Sequence, residues 1–383
     1  MPTFKKVLRW REEVEAVAAR IGERFGRREQ REHDGRYLRG LLARVERKNG
    51  WQLAEELGQR TPTNLQHFVA RAQWNADEVR DDLQRYVIER LGDVDGVLIV
   101  DETGFLKKGT NSVGVKRQYS GTAGRIENCQ VGVFLGYRSG KGHAFLDRAL
   151  YLPREWADDP ARRIEAKVPE SIVFATKPTL ARQMLARAME SGVDAAWVTA
   201  DEVYGSDHAF RRFCEDRRLS YVVAISSATR LALDGQRRAV GKHVADVPDD
   251  AWRRLSCGAG AKGRREYDWA FFGWPHHEHQ THQRGWLVRR SLSDPGGLAF
   301  DFTYAPHQAS LQQLVEVAGS RWAVEECFEQ AKQETGLDQY EVRSWAGWQR
   351  HVTLSMLAHA TLAALRAQAA DEPAPKKTAT SSR

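Results

Sequence analysis

Cysteine is scarce and scattered. Cys129, Cys214, Cys257 and Cys327 lie far apart, and no CxxC pair exists. Neither a zinc ribbon nor a disulfide framework is expected, and the compartment reads as reducing. Long apolar runs are also missing: no stretch approaches the roughly 18 residues that a membrane helix needs. The opening MPTFKKVLRWREEVE turns acidic and helical at once, without the apolar core of a signal peptide. A cytoplasmic protein with no membrane contact is expected. There is no internal repeat. Charge is not strongly one-sided either: 58 Lys and Arg stand against 51 Asp and Glu, a net +7. That surplus favours a polyanionic partner, nucleic acid first, yet suits an ordinary soluble enzyme as well.

What is present is enough apolar residue, 42% of 383 positions, to build two or three domains. Residues 1–93 read as helical. Periodic apolar positions run through Val7–Phe25, Tyr37–Val45, Trp51–Leu57, Leu65–Ala72 and Val79–Leu91. Asn49-Gly50 and Thr61-Pro62 punctuate them, with Thr61 placed to start a helix. Within residues 1–60, 15 Lys and Arg outnumber 10 Asp and Glu. The segment suits a DNA-docking module or, equally, a helical dimerisation domain.

The pattern changes at Gly96. VLIVD (97–101) is a continuous apolar run ending in an acid, as a buried strand would be. Strand patterns follow at Val113–Tyr119, Gln130–Tyr137 and His143–Leu152, the last two joined as a hairpin by residues 138–142. Next come a helix at Lys177–Ser191, a strand at Ala195–Asp201, a helix at Ser206–Arg218 and a strand at Tyr221–Ile225. This order predicts a mixed α/β layer with helices on a central sheet. Residues 228–304 break the rhythm, with short strands at Arg265–Phe272 and Trp286–Ser291 and another ending at Tyr304. Residues 311–335 and 347–368 read as two long helices. The tail from 369 to 383 has the polar, Pro-containing composition of disorder.

Two strands thus end in an acid, Asp101 and Asp201. Functional groups in an open α/β sheet collect at strand carboxyl ends, and a divalent cation relieves the repulsion of facing carboxylates. Alone, each Asp reads more simply as a loop or cap residue. The helix at 311–335 adds Arg321, Glu325 and Lys332, spaced to share one face at about 100° per residue. An acid flanked by two cations can hold a metal while the cations hold phosphates. A solvated face with an Arg–Glu pair has the same spacing. Glu102 and Glu202 each follow one of the acids and are expected to point to the opposite face of a strand. Glu326 is about 100° round the helix from Glu325.

The run Arg321-WAV-Glu325-ECFEQA-Lys332 resembles the Y-x₂-R-x₃-E-x₆-K signature of DDE transposases of bacterial insertion sequences. The stretches from Val100 to Tyr137 and from Thr199 to Asp207, and RWAVEECFEQAKQETGLDQYEVRSWAGW, resemble insertion-sequence family 701 in particular. The similarity runs from about Tyr37 to Leu365. It implies an RNase H-like mixed-sheet core at 94–227 and 305–368, interrupted by a strand-rich insertion at 228–304. An all-helical domain at 1–93 precedes the core. It also implies Asp101, Asp201 and Glu325 as the catalytic, metal-holding acids, with Arg321 and Lys332 at the signature's cation positions on DNA. The signature's Tyr is replaced by Ala318. The implied cofactor is Mg²⁺, two ions, with Mn²⁺ as a candidate substitute. The implied reaction is strand cleavage at the element's ends and joining to target DNA. The implied partners are double-stranded DNA and, on it, a second copy of the chain, in a bacterial nucleoid.

Lys107, Lys108, Lys116, Arg117 and Arg125 cluster near the first acid, either as phosphate contacts or as a solvated basic loop. Among Trp269, Trp274 and Trp286, Trp286 is the candidate to stack on a flipped base, with core packing the simpler fate of each. His276, His277, His279 and His282 resemble a metal tract by composition, but their spacing fits an exposed loop better. Three other readings use the same residues. They are an RNase H-like nuclease that cuts without joining, an inactive relative serving as a DNA-binding regulator, and a carbohydrate hydrolase. The last leaves the cations beside Glu325 unexplained.

Overall fold

Apolar periodicity in the first 91 residues becomes five helices, α1 (Phe4–Gly22), α2 (Arg28–Leu42), α3 (Gly50–Glu56), α4 (Thr63–Ala70) and α5 (Ala76–Leu91). They come from a computed structural model that describes residues 4–233, 236–260, 263–274, 281–294 and 296–370. Asn49 caps α3 by accepting from the Trp51 and Gln52 amides. Pro62, not Thr61, occupies the cap position of α4.

The sheet region follows as β1 (Val97–Leu106), β2 (Lys116–Ser120), β3 (Arg125–Ser139) and β4 (Gly142–Tyr151). Then come α6 (Arg154–Ala157), α7 (Pro160–Glu165), α8 (Lys177–Glu190), β5 (Trp197–Ala200), α9 (Glu202–Gly205), α10 (His208–Asp216) and β6 (Ser220–Ile225). β1 pairs antiparallel with β3 and parallel with β5, which is parallel to β6. The next elements are β7 (Arg230–Leu233), β8 (Gln236–Ala239), α11 (Val240–His243), β9 (Arg253–Gly260), β10 (Gly263–Gly273), β11 (His282–Arg290) and β12 (Leu298–Pro306). β7 and β8 form a separate hairpin. The other four strands extend the main sheet, because β12 adds antiparallel to β6 and β11, β10 and β9 follow in turn. The strands of 253–306 thus belong to one ten-stranded mixed sheet.

The chain closes with α12 (Leu311–Ser320), α13 (Trp322–Thr335) and α14 (Trp345–Ala370). The single helix expected over 311–335 is divided at Arg321. The Ser320 hydroxyl bonds back to the Glu316 carbonyl at 2.7 Å and accepts from Arg138 at 2.6 Å. Back-bonding of this kind bends helices. α13 ends at Gly336, whose left-handed backbone (φ 65°) suits a residue without a Cβ.

α14 is buried along nearly its whole length, with Trp348, Val352, Leu354, Met356 and Leu357 fully covered. The sheet covers one side and α1, α2, α4, α5 and α13 the others, as expected of a helix apolar all round. Among the described residues, no helix is long and apolar enough to cross a membrane. All four cysteines are buried and unbridged.

One buried chain of hydrogen bonds ties the first helices to the end of α13. His351 Nε2 lies 2.9 Å from the Gly336 carbonyl, which can only accept, so Nδ1 accepts from the Tyr37 hydroxyl at 2.8 Å. Burial pushes the His351 imidazole down to about 4. A depressed imidazole adds stability above its unfolded value, lost as pH falls toward the folded one. Wild type should therefore be more stable than His351→Gln at pH 7. The gap should narrow by about 1.4 kcal/mol per pH unit between roughly 6.5 and 4. Paired thermal melts across that range check this, and a pH-independent gap would contradict it.

Candidate active site

β5 stops at Ala200 while β1 runs on to Leu106, where its strand partner is β3. Past the last parallel pair, Val100 with Ala200, the edge of β1 lies open. Asp101 stands one residue beyond that pair and Asp201 one residue beyond β5, so the strand register sets the two acids side by side. Asp101 therefore marks the end of the parallel pairing rather than the end of its strand. Asp201 also caps α9, accepting from the Val203 amide at 2.9 Å. Asp101 accepts from the Glu102 amide at 2.7 Å.

These carboxylates sit in a poorly solvated, negatively charged place. Burial, then the charge of Asp201, pushes the Asp101 carboxyl up to about 7. Burial, then Glu102, raises Asp201. The Arg321 guanidinium opposes both shifts. One oxygen each from Asp101, Glu102 and Asp201 lies within 4.8 Å of the others. An all-oxygen, mutually repelling donor set of this kind fits a hard divalent cation.

Glu102 was expected to point away. It does leave β1 on the other face, where Lys177 of α8 donates to it at 2.6 Å and the Tyr204 hydroxyl of α9 at 2.5 Å. Its carboxylate still reaches the acids because nothing pairs with the strand edge there. Sequence alternation carried no sign of this; only the early end of β5 explains it.

Glu325 lies half-buried in the first turn of α13, outside the group of three. Arg321 precedes it at the junction of α12 and α13. Its charge also acts on Asp301 of β12, which burial pushes up to about 6. Lys332 is not a free cation: its ammonium donates to the Thr103 and Thr122 hydroxyls at 2.8 and 3.0 Å. It pins α13 to β1 and to the β2–β3 turn.

The five basic residues near Asp101 do not act alike. Lys107 is half-buried over the Tyr340 ring at 3.5 Å, and burial pushes it down to about 8. Lys116 pairs with Glu155, and Arg125 with Glu127. Lys108 and Arg117 are exposed and form no ion pair among the described residues.

Trp286 is 2% exposed and stacked on Phe272 at 4.7 Å, so in this structure it is a core ring with no open face for a base. Trp269 is also buried, and Trp274 packs against Phe302. The aromatic that sequence reading passed over is Trp322, 48% exposed beside Arg321. It opens onto a pocket of about 570 Å³ that Arg265, Arg289, Asp301 and Arg321 also line. Its place next to the signature Arg was the available signal. His276, His277 and His279 lie outside the described residues. His282 belongs to β11 and stacks on Tyr304 at 4.7 Å, so for this residue packing replaces the expected loop.

Over 190 residues, 49% of its length, the chain is 30% identical to a protein of Microchaete diplosiphon described as a probable transposase for insertion sequence element IS701. It covers 47% of that protein, so the chain spans about half the length of the curated relative it matches. The family model described as DDE superfamily endonuclease matches residues 20–269, a span that holds Asp101 and Asp201 and stops before Glu325. With about two thirds of its length in that match, and two acids side by side where the parallel pairing of β1 and β5 ends, the chain belongs to the DDE superfamily endonucleases.

Proposed function

We propose that this chain is a transposase that cleaves DNA at the ends of an insertion sequence and joins the freed strand to target DNA, using divalent metal. The observation that carries the reading is the register of β1 and β5, which sets Asp101 beside Asp201 in a chain of the DDE family. The strand order β4-β3-β1-β5-β6 supports an RNase H-like core within 94–227 and 305–368. In this reading 228–304 is the insertion, 1–93 a helical DNA-binding or dimerisation domain, and 369–383 a tail.

Asp101 and Asp201 hold the metal, and Glu325 completes the catalytic acids from α13. Mg²⁺ suits all-oxygen donors and keeps part of its water shell for DNA phosphate. When bound, the ions polarise the scissile phosphate and activate water or a 3′-hydroxyl for in-line attack. Arg321, whose charge acts on Asp101, Asp201 and Asp301, holds a phosphate oxygen. Exposed Lys108 and Arg117 add salt-sensitive backbone contacts. The DNA is double-stranded, two copies of the chain act on the paired ends, and the work is done on the bacterial nucleoid.

Strand joining separates this reading from a plain nuclease. A duplex ending in a free 3′-hydroxyl at the element boundary, mixed with supercoiled plasmid, protein and Mg²⁺, should become covalently attached to the plasmid. Cutting without attachment would reassign the chain as a nuclease.

A further inference from the structure

We propose that Glu102 completes, with Asp101 and Asp201, a cation-binding set that forms without Glu325. The inference rests on reading this site as the metal centre. The acids approach from the two faces of one sheet. Asp101 shares a face with its cross-strand neighbour Phe134, which packs on Phe328 of α13. Glu102 stands opposite Val133 and meets α8 and α9 on the other face. Both side chains converge over the edge of β1 that β5 leaves open, where the three oxygens lie within 4.8 Å. Glu325 is not a member of that group.

Glu102 is held for this task rather than left to solvent. One oxygen accepts from Lys177, the other from Tyr204, and the side chain is mostly covered. These contacts fix its rotamer before any cation arrives, in the way that outer hydrogen bonds orient a metal-binding carboxylate. Charge points the same way. Three carboxylates face two cations, Lys177 and Arg321, so negative charge remains for a divalent ion to neutralise. Glu202, by contrast, is exposed and takes no part in the group.

Mn²⁺ binding to the full chain without DNA, followed by electron paramagnetic resonance, tests this separately from activity. Glu102→Gln should weaken the tightest Mn²⁺ site by about tenfold or more, as Asp201→Asn does, because one ligand is lost. Glu325→Gln should stay within about threefold of wild type, since that side chain stands outside the set. Wild-type affinity in Glu102→Gln, or a loss in Glu325→Gln equal to that in Asp101→Asn, would overturn the inference. Thermal melts check that each variant folds. If Glu102→Gln does not, Glu102→Asp, which withdraws the carboxylate by one methylene, takes its place with the same two outcomes. If Asp101→Asn and Asp201→Asn also bind Mn²⁺ like wild type, the metal-centre reading itself falls.

Discussion

Asp101→Ala should lower strand cleavage at an element end by about 10³-fold or more, on the order of 4 kcal/mol of transition-state stabilisation. DNA binding should change little, because phosphate contacts from basic side chains supply most of it. The same position should move stability in the opposite direction. Burial and the neighbouring Asp201 push the Asp101 carboxyl up to about 7. A raised carboxyl favours the folded state below its unfolded value, and that contribution is lost as pH rises through the folded one. Without metal at pH 8, Asp101→Asn should therefore melt above wild type, and the difference should vanish below roughly pH 4. A packing role for Asp101 predicts the reverse: a lower melting temperature and a modest loss of cleavage. Gel assays of cleavage and melts in chelator read the two effects separately.

Gly205→Ala should be the most damaging small substitution near the site. Gly205 closes the α9 turn that begins at Asp201, and it packs against β6. A Cβ there would fall inside the contact distance of the Ala224 carbonyl oxygen and crowd Val223. Both neighbours belong to a central strand paired on both sides, so the turn must move instead. Overpacking of this kind costs about 1–3 kcal/mol, occasionally more. Because Asp201 caps the same turn, cleavage should fall by more than the loss of folded protein explains. A thermal melt and an activity titration corrected for folded fraction measure both. Unchanged cleavage per folded molecule would mean that the turn does not set the position of Asp201.

The central strands were legible because their apolar runs are continuous and each run is closed by an acid. VLIVD and the Ala195–Asp201 run gave β1 and β5, and with them the pair at the centre of the site. The reach of β1 to Leu106 was hidden, because past Asp101 the strand mixes polar and apolar residues and has β3 as its strand partner without β5. That hidden extension brings Glu102 into the group. The spacing of Glu325 and Lys332 correctly gave a helix, with Arg321 at the break before it, but spacing says nothing about occupancy. Lys332 is spent on two hydroxyls that come from residues more than 200 positions away. Likewise β10, β11 and β12 were visible as strand patterns and β9 was not, while the joining of β12 to β6 was a matter of long-range register. Trp286 had two readings, a base-stacking ring or, more simply, a core ring, and the pairing of β10 with β11 sets it on Phe272 in the core.

The most direct test is strand cleavage itself. The full chain is incubated with a labelled duplex carrying its element's end, in Mg²⁺ or in EDTA. The account predicts cuts at the element boundary in Mg²⁺, none in EDTA, and none with Asp101→Ala or Glu325→Ala. A protein that binds that end tightly but leaves it intact under Mg²⁺ and Mn²⁺ alike would contradict the account and make a DNA-binding regulator the better description.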